Sequence, residues 1–308
     1  TLEPAEAERR VLEDKASLFV CGIAGTGKTH YMQGIVERLQ RQGVAVEAVS
    51  KTHVASKRAS DDGKTLDHWV RRHLMHGSPK CDVLWIDEVF QTDAGLLAQL
   101  SKLTGTMRFL LSGDVHQFAP LGNTFRGAAV PEDALLRSNL LHTMAGGNRV
   151  ELTECRRSDT SLFEYYASLI PGGLRFELPL VECVRQAKTA FAFRGLPRWS
   201  LCISHAKRVR INREVNERLA PQDAVRLVVS GRAARGNAAQ TMLLWPGIVL
   251  IGCTQSGRVR NGCLYEVEHV DGESVKLCGV DAALTHEQAS KTLRLSFAQT
   301  YASCQGTE

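Results

Sequence analysis

One glycine-rich octapeptide near the N-terminus limits the folds open to this chain more than any other feature. Residues 22–29 read Gly-Ile-Ala-Gly-Thr-Gly-Lys-Thr, which fits the pattern G-x-x-x-x-G-K-[ST]. The apolar run Ser17–Cys21 precedes the octapeptide, and helical spacing from Lys28 to Arg41 follows it. This strand–loop–helix context predicts a loop whose backbone N–H groups surround phosphate oxygens at the start of a helix.

The loop divides phosphate binding between its backbone and its side chains. Its glycines allow the backbone to turn N–H groups inward around the phosphates. Lys28 supplies a positive charge for the β- and γ-phosphates, and the Thr29 hydroxyl supplies a ligand for Mg²⁺. The predicted nucleotide-binding residues of the loop are Gly22, Gly25, Thr26, Gly27, Lys28 and Thr29.

The first part of the chain alternates apolar strands with helical patterns. Further strands are predicted at Ala45–Ser50, Asp82–Asp87 and Met107–Ser112, and leucines with helical spacing lie between Thr92 and Leu103. Such alternation predicts a parallel sheet that is covered by helices on both faces.

The second part of the chain has a different pattern of predicted strands and helices. Residues 119–150 are irregular and rich in Gly, Pro and Asn, so we place a domain boundary after residue 148. Ser200–Ser204 begins another strand–helix pair, whereas residues 221–290 contain short β-like runs separated by turn dipeptides such as Asn261-Gly262. This stretch predicts a small β insert within a second α/β domain. The predicted domains are 1–148 and 149–308.

Acidic residues end one of the predicted strands. Asp87 and Glu88 follow an apolar run, and ligands of open α/β sheets bind at the carboxyl ends of the strands. One carboxylate suits the coordination shell of Mg²⁺, and the other suits orienting and deprotonating an attacking water. Gln117 follows the next strand and is placed at the same edge, within reach of the γ-phosphate or that water. The pair therefore predicts hydrolysis of a nucleoside triphosphate.

Two adjacent arginines, Arg156 and Arg157, lie near the start of the second predicted domain. A guanidinium that reached across a domain cleft would stabilise the charge developing on the γ-phosphate. A solvated basic helix start explains the same two residues, and the pattern alone favours that interpretation.

The composition excludes several classes of protein. The hydrophobic fraction of 44% and the charged fraction of 23% are ordinary for a globular domain, and no run reaches the ~18 apolar residues of a membrane span. The nine cysteines contain no C-x-x-C pair, which predicts reduced, mostly buried thiols rather than a metal site. We therefore expect an intracellular protein without a membrane partner, in the nucleus or the cytoplasm. The net charge of +5 suits a polyanionic partner without requiring one.

Together, the motifs resemble those of superfamily 1 helicases in order and spacing. These motifs are the phosphate loop, Ile86-Asp87-Glu88, Gly113-Asp114-x-x-Gln117, Leu152-x-x-x-x-Arg157-Ser158 and, similar to motif V, Thr300–Glu308. The likeness is strongest to the superfamily 1B Pif/RecD-type DNA helicases, including relatives in large DNA viruses. It covers residues 15–308, and Trp245–Gly262 resembles the β-barrel insert of these helicases.

The resemblance implies a fold and a set of roles at the nucleotide. The fold is α/β, with two RecA-like P-loop NTPase domains that have parallel sheets and clamp ATP between them. The second domain carries a small β-barrel-like insert. Asp87 would hold Mg²⁺, Glu88 would be the general base and Gln117 would sense the γ-phosphate. Arg157 matches the family's arginine finger better than Arg156 does, and Glu308 would reach the ribose.

The resemblance also implies single-stranded DNA as the partner. The predicted strand-binding residues are Thr52, His53, Gln305, Gly306 and Thr307, with His68 as a further candidate. His68 and its neighbour Trp69 would stack on bases. An amphipathic helix with Trp69 in the core explains this pair at least as well.

Three departures from the family pattern limit what the resemblance implies. The arginine-bearing motif VI does not follow motif V, and the glutamine that normally recognises adenine does not precede the loop. Few residues separate Ser50–His53, which match motif Ia, from Asp87. Because the chain also lacks an initiator Met, we expect a fragment whose second domain is incomplete at its C-terminus. The predicted function is an ATP-driven helicase or translocase, monomeric and moving 5′ to 3′ on single-stranded DNA. An RNA helicase, or a nucleic-acid-binding ATPase without unwinding activity, is the alternative.

Overall fold

The chain forms two compact units, Thr1–Arg194 and Gly195–Glu308, and each is described by itself. The computed structural model describes residues 1–51, 64–75, 77–117, 120, 123–125, 127–131, 133–192, 195, 197, 199–229, 239–254 and 258–304. The glycine-rich loop, the predicted metal ligand Asp87 and the predicted general base Glu88 belong to the first unit.

The first unit is built on a six-stranded parallel sheet. Its strands and the short hairpin beside it are β1 (Leu18–Cys21), β2 (Val46–Ser50), β3 (Lys64–Thr65), β4 (Val83–Asp87), β5 (Arg108–Gly113), β6 (Thr124–Phe125), β7 (Ala128–Ala129) and β8 (Arg149–Glu151). The strand order is β3-β2-β4-β5-β1-β8, and every neighbouring pair is parallel. The predicted parallel sheet is therefore confirmed.

Helices connect the strands and cover the sheet. The described helices of this unit are α1 (Pro4–Leu12), α2 (Lys28–Arg41), α3 (Leu66–Val70), α4 (Ala94–Leu100), α5 (Ala134–Arg137), α6 (Leu140–Met144), α7 (Thr160–Ala167) and α8 (Leu180–Ala190). A π-helical turn, Arg71–Met75, continues α3, and 3₁₀ turns lie at Val89–Gln91 and Ser101–Leu103. The helix predicted at Lys28–Arg41 is confirmed at both ends.

Side chains that alternate along the central strands face two separate apolar cores. On one face, Leu18 and Val20 of β1 pack with Met32, Ile35 and Leu39 of α2. On the other face, the remaining β1 side chains pack with α3, α4 and α6. The residues of that second core include Phe19, Cys21, Leu66, Trp69, Leu97, Leu100, Leu141 and Met144. Both faces of the sheet are thus removed from water, which explains its near-continuous apolar strands.

The strand register brings the carboxyl ends of the strands to one edge. Cys21 pairs with Gly113 and Glu151, and Ser50 pairs with Asp87. The loop that follows Cys21 and the carboxylates that end β4 therefore emerge at the same edge, as the sequence predicted.

The division between the two units lies after residue 194, and not after residue 148 as we expected from the sequence. The reason is that β8 pairs in parallel with β1 and so completes the first sheet. Beyond β8, the backbone N–H of Arg156 donates to the Gly25 carbonyl, and the Tyr166 hydroxyl donates to the Ala24 carbonyl. Residues 149–166 are thus part of the first unit.

The second unit combines a parallel strand pair with an antiparallel sheet. Its strands and helices are β9 (Ser200–Cys202), α9 (His205–Leu219), β10 (Val225–Leu227), β11 (Met242–Leu244), β12 (Val249–Gly252), β13 (Leu264–Val270), β14 (Ser274–Leu277), β15 (Leu284–Thr285), α10 (His286–Thr292), β16 (Leu293–Leu295) and β17 (Ala298–Thr300). Strands β9 and β17 are parallel neighbours, and β15-β14-β13-β12-β16 form an antiparallel sheet. The predicted β insert is this antiparallel sheet together with the β10–β11 pair.

One buried amide attaches α9 to the strands of the second unit. The Asn212 side chain donates to the carbonyls of Leu295 and Ala298 at 3.2 Å and accepts from the Ala298 N–H at 2.7 Å. Because Asn212 is fully buried, these three bonds satisfy polar groups that water cannot reach.

The cysteines of the chain are reduced. All nine cysteines are free, and six of them are buried. Within the described residues, no helix combines the length and the apolar character that a membrane crossing requires.

Candidate active site

The glycine-rich loop has a backbone that only glycine adopts easily. Gly25 and Gly27 have φ angles of 87° and 83°, and Gly22 has a φ of 155°. A Cβ atom at Gly22 would lie 2.4 Å from the Leu152 carbonyl oxygen, so no larger residue fits there. The loop ends at Gly27, directly before the first turn of α2. The left-handed glycines and the helix start lie where the sequence pattern predicts them for a phosphate-binding loop.

The side chain of Lys28 lies folded back over this loop. Its ammonium donates to the carbonyls of Gly22 at 2.8 Å and Ile23 at 3.1 Å. Burial lowers the pKa of Lys28, whereas the negative charges of Asp114, Glu88 and Asp87 raise it. The loop thus contains a buried positive charge that three carboxylates face. Thr26, also buried, donates its hydroxyl to the Ile23 carbonyl at 2.8 Å.

Asp87 and Thr29 form an oxygen pair below the loop. The Thr29 hydroxyl donates to Asp87 Oδ2 at 3.3 Å, and the Ser112 hydroxyl donates to Asp87 Oδ1 at 2.6 Å. The indole N–H of Trp85 donates in turn to the Ser112 hydroxyl at 2.8 Å. This buried chain of hydrogen bonds fixes the orientation of the Asp87 carboxylate at the end of β4.

This oxygen pair fits Mg²⁺ as a partner. Mg²⁺ prefers one or two protein oxygens and completes its shell with phosphate oxygens and water, rather than using an all-protein cage. Among the described residues, no group of three or more His, Cys, Asp or Glu side chains is placed to hold a metal. The donors present, a carboxylate and a hydroxyl, are therefore those that a Mg²⁺–nucleotide complex needs.

Ser112 was not identified from the sequence, where it is one serine at a strand end. If it orients Asp87, Ser112→Ala is expected to raise the half-saturating Mg²⁺ concentration for hydrolysis about tenfold or more. A titration of the ATPase rate against free Mg²⁺ measures this shift. Ser101→Ala, at an exposed hydroxyl that bonds only within its own turn, is the matched control. An unchanged Mg²⁺ midpoint in Ser112→Ala would show that Asp87 needs no such support.

Glu88 has an unusual backbone for its residue type. Its φ of 54° and ψ of 47° are left-handed, and its side chain is buried. A left-handed non-glycine residue costs of order 1–3 kcal/mol, and such residues cluster at functional sites. Glu88 follows β4 at the same sheet edge as the phosphate loop, and burial lowers the pKa of Lys28 while the negative charge of Glu88 opposes this shift.

Gln117 is connected to the segment that follows Glu88. The Gln91 side-chain amide donates to Gln117 Oε1 at 3.1 Å. The Gln117 backbone N–H donates to the Asp114 carbonyl at 3.3 Å, in the turn after β5. The predicted γ-phosphate sensor therefore lies at the same sheet edge as Asp87 and Glu88, and a side-chain bond links it to Gln91 in the turn that follows Glu88.

Arg157 lies beside the loop but within the first unit. A Cβ atom at Gly25 would lie 3.4 Å from Arg157 Cβ, and the positive charge of Arg157 is close enough to lower the pKa of Lys28. This corrects our expectation that the arginine comes from the second domain, because β8 delivers residues 152–157 to the loop from the same sheet. Arg156 instead packs its side chain beside Gly27 and pairs with Glu154.

The predicted strand-binding residues are only partly described. Trp69 is fully buried in the second core, and its indole N–H donates to Glu47. This corrects the interpretation of Trp69 as a base-stacking residue and leaves the amphipathic-helix alternative. His68 is exposed on α3. The remaining candidates lie outside the described residues: Thr52, His53, Gln305, Gly306 and Thr307, as does the predicted ribose ligand Glu308.

The sequence of this site matches a known family. Residues 3–167, more than half of the chain, match the AAA domain family. The chain belongs to the AAA domain family. No curated protein sequence gives a significant match.

The structure of this AAA domain protein is similar to solved Pif1 helicases. A Bacteroides Pif1 bound to single-stranded DNA superposes with a TM-score of 0.66 at 16% identity, covering 99% of this chain and 84% of that one. Pif1 from Candida albicans gives 0.64 at 16% identity, covering 99% and 87%. A structure of two Pif1 helicases coordinating at forked double-stranded DNA gives 0.66 at 17% identity, covering 99% and 83%. The fold predicted from the motifs is therefore confirmed.

Proposed function

We propose that this chain is an ATP-driven translocase and helicase that acts on single-stranded DNA. One observation carries the proposal: the buried Lys28 ammonium, the Thr29–Asp87 oxygen pair and the strained Glu88 meet at one sheet edge around a glycine loop. A protein that only bound nucleotide would need the loop but would have no use for a second, strained carboxylate beside it.

The residues of this edge suit hydrolysis of the γ-phosphate. Glu88 takes a proton from the attacking water while the oxygen of that water bonds to the γ-phosphorus. The bond between the γ-phosphorus and the bridging oxygen of the β-phosphate breaks. Lys28 and Arg157 stabilise the charge that develops on the phosphate oxygens. Gln117 positions the water or the γ-phosphate. ADP, phosphate and the proton leave the site.

Metal binding is assigned to two of these residues. Thr29 and Asp87 would hold Mg²⁺, which supplies charge neutralisation between the β- and γ-phosphates when it is bound. Ser112 and Trp85 keep the Asp87 carboxylate in place for this role.

The nucleic-acid partner is proposed from similarity and charge. The solved relatives include Bacteroides Pif1 in complex with ADP-AlF₃ and single-stranded DNA, at a TM-score of 0.62 and 15% identity. The net charge of +5 suits a phosphate backbone. We propose that this chain also binds single-stranded DNA, and that it unwinds DNA while moving 5′ to 3′. Most contacts would then be to phosphates, with weak sequence preference.

The decisive experiment is the steady-state ATPase rate with and without a single-stranded DNA oligonucleotide, at low and moderate salt. We expect stimulation of about tenfold or more that fades as the salt concentration rises, because counterions compete for the phosphates. Strand displacement on duplexes with a 5′ or a 3′ tail then tests unwinding and its direction.

The outcomes separate the proposal from its alternatives. Stronger stimulation by an RNA polymer than by DNA would indicate an RNA helicase with the same site. A low ATPase rate that neither DNA nor RNA changes, in a chain that still binds ATP, would contradict the proposal of a motor. It would indicate a nucleic-acid-binding ATPase without unwinding activity. A stimulated rate without displacement of either duplex would limit the activity to translocation.

A further inference from the structure

The phosphate loop has a donor for each of four consecutive carbonyl oxygens. Lys28 donates to Gly22 and Ile23, and the Thr26 hydroxyl also donates to Ile23. The Ala24 carbonyl accepts from the Tyr166 hydroxyl at 2.9 Å, and the Gly25 carbonyl accepts from the Arg156 backbone N–H at 2.8 Å. The loop is therefore held by its own residues at one end and by the chain beyond β8 at the other.

These carbonyl partners matter because of the geometry of phosphate binding. The N–H and C=O groups of one peptide unit point in opposite directions, so N–H groups can face a phosphate only if their carbonyls turn away from it. A carbonyl that turned inward would present a negative dipole to the phosphate. Donors on the outer side of the loop thus select the conformation that binds nucleotide.

The two sets of donors differ in what nucleotide binding does to them. Lys28 must leave the carbonyls of Gly22 and Ile23 when its ammonium moves to the β- and γ-phosphates. The Tyr166 hydroxyl and the Arg156 backbone N–H have no role in binding the phosphates. Their bonds to the carbonyls of Ala24 and Gly25 therefore persist when nucleotide binds. At Ala24 and Gly25, this second set therefore holds the carbonyls outward through the whole cycle.

We propose that Tyr166 is a positioning residue for the nucleotide, whose hydroxyl holds the Ala24 carbonyl outward and so aims the N–H groups of the loop at the phosphates. The inference rests on the proposed function, since it concerns the nucleotide of that same site. Tyr166 does not touch the reacting atoms. It acts through the backbone of the loop.

The surroundings of Tyr166 hold its hydroxyl in this place. Its ring packs edge-on against Phe163, with 5.3 Å between the ring centroids, one turn earlier on α7. The helix itself is fixed at its start, where the Asp159 carboxylate caps the Leu162 N–H at 2.9 Å. A Cβ atom at Gly25 would lie 2.9 Å from the Tyr166 hydroxyl oxygen, so the Tyr166 hydroxyl lies directly against this part of the loop.

Tyr166→Phe removes only the hydroxyl. Loss of the hydrogen bond to the Ala24 carbonyl is expected to raise the Kd of both ATP and ADP about threefold to tenfold, because the loop then spends part of its time with Ala24 turned inward. At saturating ATP, kcat is expected to remain within about twofold, since no group at the γ-phosphorus changes. Direct titration with a fluorescent ADP analogue, together with KM and kcat from the ATPase rate, measures both.

Tyr165→Phe is the matched control on the same helix. The Tyr165 hydroxyl donates to the Cys183 carbonyl at 2.5 Å, both residues are buried, and neither contacts the loop. Its loss leaves a buried carbonyl without this donor, so Tm should fall by several degrees while nucleotide Kd stays at the wild-type value. Tyr166→Phe should show the opposite pattern, with a changed Kd and a nearly unchanged Tm.

Three results would overturn the inference. Wild-type Kd in Tyr166→Phe would show that the hydroxyl does not position the loop. Equal increases of Kd in both variants would show a general effect of α7 on stability. A wild-type chain that binds no nucleotide would overturn the proposed function and this inference together, whereas the first two results leave the proposed function intact.

Discussion

Alanine in place of Lys28 is expected to abolish DNA-stimulated ATP hydrolysis, with kcat/KM for ATP at least about a hundredfold lower. Lys28 is the only side-chain cation of the loop itself, and its ammonium is buried against two loop carbonyls. Without it, the β- and γ-phosphates would meet Asp87, Glu88 and Asp114 with no loop cation to offset them. Nucleotide affinity and catalysis should therefore be lost together.

The measurement is the steady-state ATPase rate over a range of ATP concentrations, with single-stranded DNA present. Lys102→Ala is the control, because it removes the same charge from an exposed position in the 3₁₀ turn after α4. A Tm close to that of the wild type would show that the Lys28 variant is folded. Unchanged DNA-stimulated hydrolysis in Lys28→Ala would contradict the proposed site as a whole.

Glutamine in place of Glu88 is expected to separate binding from catalysis. The amide keeps the size of the side chain and can adopt the same left-handed backbone, but it cannot accept the proton of the attacking water. We expect kcat to fall about 10²- to 10⁴-fold while the affinity for ATP is retained. Removing the buried charge removes its desolvation cost and also its attraction to Lys28, so we expect a Tm close to that of the wild type.

Asp87→Asn provides the contrasting variant at the neighbouring position. Asp87 accepts from Thr29 and Ser112 and is assigned to the metal, so its loss should weaken Mg²⁺ binding and shift the Mg²⁺ dependence of the rate. Nucleotide binding and single-turnover hydrolysis, measured for both variants, distinguish the roles. A Glu88→Gln enzyme with wild-type kcat would show that another group accepts the proton.

Long, regular segments of the first unit could be predicted from sequence. The helix of 14 residues at Lys28–Arg41 has its buried residues at helical spacing, and the strands β1, β4 and β5 are continuous apolar runs. In each of these segments the pattern is repeated several times within one element. The residues within each of these segments were therefore enough to predict the element without any tertiary contact.

Short segments could not be predicted in the same way. Strand β8 has only three residues, and its place is decided by pairing with β1, which lies about 130 residues earlier. Three residues give no periodicity to detect. The irregular stretch before β8 therefore suggested a domain boundary, although the unit continues to residue 194.

The residues of the site also differ in whether the sequence alone could identify them. The phosphate loop, Asp87 and Glu88 could be predicted because each is a contiguous motif attached to a predicted strand. Ser112 and Tyr166 could not, because their functions come from single hydrogen bonds to Asp87 and Ala24, which are far from them in sequence. For Trp69, an aromatic residue on an amphipathic helix suits either a base or a core, and only burial decided between them.

By itself, the sequence determined the glycine loop, the helix behind it and the acidic end of β4, because their backbone hydrogen bonds and turns are made within a few consecutive residues. The tertiary structure alone decided which unit supplies Arg157, what holds Asp87 and Ala24 in place, and which aromatic side chains are buried. Those outcomes depend on strand pairing and packing between residues far apart in the chain. Such contacts form only when the whole unit folds, and no local pattern encodes them.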